Sequence, residues 1–244
     1  MQWVAKVDYI IGGVGKLDKV IQDWDNAAKS YSEFEATSQH SIFCREFITN
    51  HFINIQNKII LDAGCGNGEH THILAQKGGN VMGCDGSLEM LKLAKSKYPS
   101  YRFDHVNLLN NMPYENYEFD IVLCNLVLMD IDPIDNAISE FYRIIKNQGT
   151  FFFSIVHPAF YRAVWERNEQ GVIISKKVLS YITPQAKQQN FWGATIHYHR
   201  PISHYFNKIS DAGFSLKNMF EPKVYEEPKI PDIPLYLFAE FIKQ

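Results

Sequence analysis

Residues 58–68 read Lys-Ile-Ile-Leu-Asp-Ala-Gly-Cys-Gly-Asn-Gly. The apolar run Ile59-Ile60-Leu61 predicts a strand of a parallel sheet, buried on both faces. At Asp62 the run gives way to a loop with glycines at 64, 66 and 68, and a helical pattern follows over 69–77. Strand, glycine loop and helix start together make a nucleotide-sized binding site, because glycine admits close backbone approach and positive φ. Charge narrows the ligand. A pyrophosphate would meet Asp62 before the loop and Glu69 after it, and like charges repel most where water is scarce. The acids suit a cationic ligand such as an amine or sulfonium. The spacing is Gly-x-Gly-x-Gly, whereas the nicotinamide fingerprint is Gly-x-Gly-x-x-Gly.

Downstream, short strands alternate with helices. Residues 80–85 predict a second strand, ended by Asp85, and Ser87 is placed to cap a helix with Met90, Leu91 and Ala94 inward. Further strands are expected at 101–107, 119–127 and 150–156. Between the last two, a helix is expected from Pro133 to near Gly149. Such alternation predicts a parallel sheet covered on both faces. A helix over 202–212 and two strand-like segments, 214–224 and 235–242, follow. A linker with Pro228, Pro231 and Pro234 joins the two segments. That ending adds antiparallel pairing.

Asp85 lies 21 residues after Gly64. This spacing sets its carboxylate beside the ribose of a nucleotide held on the loop, where it can accept from both hydroxyls. The alternative is a cap for the following helix.

The run Leu61-Asp62-Ala63-Gly64-Cys65-Gly66-Asn67-Gly68 resembles the first motif of class I S-adenosylmethionine-dependent methyltransferases. The resemblance extends through Asp85, through Phe119-Asp120-Ile121-Val122 with Asn125, and through residues 143–149. It implies an α/β three-layer sandwich with a mostly parallel seven-stranded sheet and one antiparallel strand. The implied cofactor is S-adenosyl-L-methionine, leaving S-adenosyl-L-homocysteine as product. The implied activity is methyl transfer to a small-molecule acceptor. Asp62, Gly64, Cys65 and Gly66 would cradle the cofactor, with Asp85, Gly86 and Ser87 at the ribose. Met90, Asn107 and Leu108 would flank the adenine, and Asn125 the methionine. Asn107 departs from the usual Asp of this family. Tyr31 is similar to an N-terminal Tyr that covers the cofactor in relatives, and ordinary helix packing explains it equally. Relatives place a His just after the fourth strand, where this chain has Met129-Asp130. His157, after the fifth strand, is the remaining candidate general base, or else it only lines the pocket.

The 244 residues are expected to form one domain. Its parts are a helical cap over 1–50, a cofactor-binding core over 51–158, an insertion over 159–200 and a C-terminal completion over 201–244. Within the insertion, strands are expected at 172–182 and 192–199. Cap and insertion are expected to form a lid that selects the acceptor, with Tyr31, His157, Trp192, Tyr198 and Arg200 as substrate residues. Arg200 suits a carboxylate or phosphate, although a solvated surface position is as good an account. The formal charge of −3 and isoelectric point near 6.3 argue against a nucleic-acid surface. A transfer-RNA-modifying methyltransferase and a non-catalytic S-adenosylmethionine-binding protein stay open as alternatives. Four cysteines without Cys-x-x-Cys spacing read as reduced core residues, with no metal site, in a cytoplasmic protein. No stretch approaches the roughly 20 apolar residues of a membrane span. Residues 7–15 lack the basic leader of a signal peptide, and Gly12-Gly13-Val14-Gly15 reads as a turn. A monomer or homodimer is expected.

Overall fold

A computed structural model describes residues 14–161, 163–224 and 232–244, with side chains from residue 19 onward. Two helices come first, α1 (Val14–Thr37) and α2 (Gln39–His51). The core then alternates β1 (Ile59–Ala63), α3 (Glu69–Gln76), β2 (Asn80–Asp85), α4 (Leu88–Lys97), β3 (Arg102–His105), β4 (Phe119–Asn125), α5 (Asp135–Ile144) and β5 (Ile145–Val156). Two hairpins follow, β6 (Val164–Arg167) with β7 (Ile173–Lys177) and β8 (Gln185–Gln189) with β9 (Thr195–His199). The chain closes with α6 (Ile202–Asp211), β10 (Phe214–Phe220) and β11 (Tyr236–Lys243).

Seven strands form one sheet in the order β10-β11-β5-β4-β1-β2-β3. All pairings are parallel except those of β11, which runs against both β5 and β10. This is the expected three-layer sandwich with one reversed strand. Successive strands move outward one way from β1 to β3 and the other way from β4 to β5. The strand order therefore reverses between β1 and β4, and a crevice opens at their C-terminal ends.

Alternation along the strands splits the core between the two faces. Phe151, Phe153, Leu237 and Phe241 pack with α5 and α6, whose buried residues include Phe141, Ile144, Tyr205 and Ile209. Phe152 and Phe238 point the other way, toward Cys44, Ile48 and Phe52 of the second helix and its end. All four cysteines are buried and unpaired.

Several boundaries differ from the sequence reading. Pro133 follows a cis peptide and does not start α5, which begins at Asp135 and stops at Ile144, well before Gly149. The reason is tertiary. The ammonium of buried Lys243 donates to the carbonyls of Tyr142 and Ile145 (2.8 Å to the latter), which meets the open end of the helix. Ile145 is then free to pair with Phe119, and β5 starts five residues earlier than expected. β3 and β10 are shorter than expected, and strands β6 and β8 were missed; β8 (Gln-Ala-Lys-Gln-Gln) carries no strand signal of its own. The turn expected at 12–15 falls partly outside the described residues, and Val14 and Gly15 belong to α1. Pro228 and Pro231 also lie outside them. No helix among the described residues is long and apolar enough to cross a membrane.

Phe153 is fully buried against the rings of Phe151, Tyr205 and Phe241. Phe153→Ala should lower the unfolding free energy by about 3–5 kcal/mol, read as a shift of the urea midpoint at unchanged slope.

Candidate cofactor site

The crevice at the C-terminal ends of β1, β2 and β4 is a cleft enclosing about 860 Å³, part of it open to solvent. The glycine loop after β1 forms its floor. Gly64, Gly66 and Gly68 all have positive φ, +75°, +54° and +85°. Only Gly66 faces open space where a Cβ would stand; at Gly64 a Cβ would lie 2.3 Å from the Val127 side chain. Gly64 thus permits contact between the loop and the segment after β4, while Gly66 leaves its backbone bare to the cleft. Leu126, at the end of β4, has φ +56°, a strained conformation for a branched side chain, and it lines the same cleft.

Asp85 ties two loops together. One of its oxygens accepts from the Gly66 N–H at 2.9 Å and the other from the Ser87 N–H at 2.8 Å. Each carboxylate oxygen keeps a lone pair for a further donor, so ribose hydroxyls can be accepted without breaking either bond. Ser87 caps α4 by accepting from Met90 N–H at 3.1 Å, as the sequence predicts. The cap is thus Ser87, and Asp85, two residues earlier, contributes to the start of α4 only through the bond it accepts from the Ser87 N–H.

Every residue assigned to the cofactor from sequence lines this one cleft: Tyr31, Asp62, Gly64, Cys65, Gly66, Asp85, Gly86, Ser87, Met90, Asn107, Leu108 and Asn125. Asn107 folds its side-chain oxygen back onto Leu109 N–H at 3.0 Å, and Asn125 accepts from Ser154 Oγ at 2.6 Å. Both amide NH₂ groups thus remain as donors. The wall opposite the sheet is α1, which supplies Val20, Ile21, Trp24, Tyr31 and Glu35. Two bonds fasten α1 to the motif loops: Asn67 donates to Ser32 Oγ at 3.0 Å, and Ser87 Oγ donates to Asp25 at 2.6 Å.

The substrate candidates separate. Tyr31 is in the cleft and meets Trp24 and Trp192 edge-on at 5.3 and 5.1 Å. Trp192 stacks behind on Trp24 and lies outside the lining. His157, Tyr198 and Arg200 are absent from the lining as well. His157 is buried with both ring nitrogens occupied: Nδ1 accepts from Ala159 N–H at 3.2 Å and Nε2 faces Glu221 at 2.7 Å. It has no free nitrogen aimed at a substrate, which removes the basis for a general-base role. The Arg200 guanidinium is 4% exposed and donates to Leu128 O, Ile131 O and Asp132. Tyr198 N–H donates to Met129 O at 2.7 Å. Together they pin the segment after β4 from the insertion, so Arg200 is a fastener with no guanidinium edge left for an anion.

Among the lining residues not assigned to the site from sequence, three carry titratable side chains: Glu35, His70 and Asp130. Glu35 sits four residues after Tyr31 on α1, a helical spacing that could have revealed it. His70 is in the first turn of α3. Asp130 occupies the segment where relatives carry a His.

Burial dominates the electrostatics. Together with smaller contributions from Asp85 and Glu35, it pushes the Asp62 carboxyl up to about 7, against hydrogen bonds from Thr71, whose Oγ1 donates at 2.6 Å. Burial also raises Asp85, Glu35, Asp130 and the Tyr31 phenol. Four carboxyls around one cleft, each resisting ionisation, make a site that a cation would relieve. Bare Gly66, the spare acceptors of Asp85 and this acid cluster fit an adenosyl sulfonium with an ammonium group.

The methyltransferase domain family matches residues 61–153, which run from β1 into β5. An uncharacterised Haemophilus influenzae protein is 24% identical over 86% of this chain and 88% of its own length. A malonyl-[acyl-carrier protein] O-methyltransferase of Hamiltonella defensa is 27% identical over 60% of this chain, which spans only 55% of that relative. A solved Listeria monocytogenes structure, assigned as an S-adenosylmethionine-dependent methyltransferase, superposes with a TM-score of 0.71 at 26% identity. The match covers 83% of this chain and 99% of that one. Residues 61–153 thus carry a methyltransferase domain on the class I methyltransferase fold, and S-adenosylmethionine is the cofactor that this match and the cleft support.

Two outcomes are expected. Asp85→Ala should cost roughly 30- to 300-fold in S-adenosylhomocysteine affinity by calorimetry, since charge-assisted hydrogen bonds are lost together with the loop tie. The second is a pH effect. The folded-state pKa of Asp62 is raised, so its stabilising contribution is full below about 4 and is lost as pH rises through about 7. A bound ammonium group favours the ionised form. The increase in Tm given by S-adenosylhomocysteine should therefore be larger at pH 8 than at pH 6.

Proposed function

We propose that this chain methylates a small-molecule acceptor that enters the cleft beside Tyr31 and Asp130. The observation that carries this reading is the position of Asp130. Asp130 lines the cleft on the segment after β4, its N–H bonded to the carbonyl of Val127, and no described side chain donates a hydrogen bond to its carboxylate. S-adenosylmethionine supplies a methyl group already activated on sulfonium, so the protein's task is orientation, exclusion of water and removal of one proton. Asp130 suits the last task. Its raised pKa makes it a stronger base than an exposed carboxylate. Arg200, bonded to the carbonyls of Leu128 and Ile131, fixes the segment that carries it. The aromatic group Trp24, Tyr31, Phe34 and Trp192 joins the cap to the insertion above the cleft. It supports a lid of both segments that shields the reaction and selects an acceptor with an apolar body. The O-methyltransferase activity named for the Hamiltonella relative is compatible with an oxygen acceptor.

Labelled methyl from S-adenosylmethionine, offered with pools of small phenols, carboxylic acids and amines, tests the reading. Transfer is expected to at least one pool, and no transfer to any would speak against it. With the acceptor in hand, Asp130→Asn should leave S-adenosylhomocysteine affinity within about threefold. Turnover should fall about 10²-fold, with wild-type rates rising as pH climbs through the pKa of Asp130.

A further inference from the structure

His70 is the one cleft residue whose chemistry neither the fold nor the proposed transfer uses. It is 7% exposed, and its Nε2 has no hydrogen-bond partner among the described residues. An orphaned ring nitrogen in a dry site costs free energy unless a ligand completes it. Three features of its surroundings point to a negatively charged ligand group. His70 stands in the first turn of α3, at the positive end of the helix dipole. Arg45 of α2 lies close enough to act on the imidazole through its charge. The described lining holds no Lys or Arg, and its carboxyls, Glu35, Asp62, Asp85 and Asp130, would repel an anion when ionised, so an anionic group is left to His70's side of the cleft.

The cofactor's amino-acid end carries both charges, an ammonium and a carboxylate. The acids account for the first and cannot serve the second. We propose that the imidazole of His70, backed by Arg45, donates the hydrogen bond that holds the cofactor's carboxylate, and so distinguishes amino-acid-bearing adenosyl thioethers from those without that end. This rests on the S-adenosylmethionine assignment. Burial and Arg45 hold the imidazole pKa down to about 4, so the ring is neutral at pH 7 and offers one N–H. The bond therefore needs no prior protonation.

Calorimetry with two ligands separates this role from a merely structural one. S-adenosylhomocysteine has the amino-acid end, and 5′-methylthioadenosine lacks it. His70→Ala should weaken S-adenosylhomocysteine by about 10- to 100-fold and leave 5′-methylthioadenosine within about threefold. His70→Gln, which keeps an N–H donor, should recover most of the loss. In the wild type, histidine-resolved NMR should show the pKa of His70 rising on addition of S-adenosylhomocysteine and not of 5′-methylthioadenosine, because a carboxylate favours the protonated ring. Equal losses for both ligands, unchanged affinity for S-adenosylhomocysteine, or an unmoved His70 titration would overturn the proposal alone. A wild-type protein that binds neither ligand would overturn the cofactor assignment and the proposal with it.

Discussion

The hydrogen bonds from the Gly66 and Ser87 amides to the Asp85 carboxylate are the constraint on which the site depends. They hold the loop after β1 and the loop after β2 at a fixed separation. Three consequences follow. The Gly66 backbone stays bare toward the cleft. Ser87 is presented at the right height to cap α4 and to meet Asp25 of α1. The carboxylate itself sits in a place where burial makes its charge costly. A protein keeps a buried acid at such a cost where the charge has work to do, and a ligand rich in donors relieves it.

The covering helix is part of the same construction. Asn67 of the glycine loop bonds to Ser32, and Asp25 bonds to Ser87, so α1 is tied to both cofactor loops and not only packed on them. Gly86 lets Ile21 approach: a Cβ there would lie 3.3 Å from the Ile21 side chain. The helix thereby brings Tyr31 and Glu35 over the acids of the floor. From the other side, Arg200 and Tyr198 of the insertion fix the backbone after β4. One element outside the sheet, α1, walls the cleft, and a second, the insertion, holds the segment after β4 from behind; each is fastened through polar contacts to a loop that the sheet positions.

What was legible in the sequence followed local rules. The run 59–61 could only be a doubly buried strand, and the glycines that follow it all adopt the positive φ that glycine permits. Asp85 was found by its spacing and Ser87 by its capping chemistry. Boundaries failed where a distant partner decided them. α5 stops at Ile144 because Lys243, about a hundred residues away, supplies donors to its last carbonyls. β8 forms because β9 offers a ladder, although Gln185–Gln189 has no apolar alternation.

The assignment of polar residues divides in the same way. The sequence by itself determined the alternating strands and helices, the glycine loop and the place of Asp85, because these depend on periodicity, on glycine's backbone freedom and on fixed spacings along the chain; the single reversed strand and the other cofactor residues came from its resemblance to the methyltransferase family. Tertiary structure alone decided which polar residues remain available for chemistry. His157, Tyr198 and Arg200 read as site residues, yet the fold gives them to Glu221, Met129 and the segment after β4. Glu35, His70 and Asp130 read as ordinary residues, yet the fold brings them to the cleft. A hydrogen-bonding group is satisfied by whichever partner the packed chain brings within about 3 Å, and that partner is set in space, where positions far apart in sequence meet.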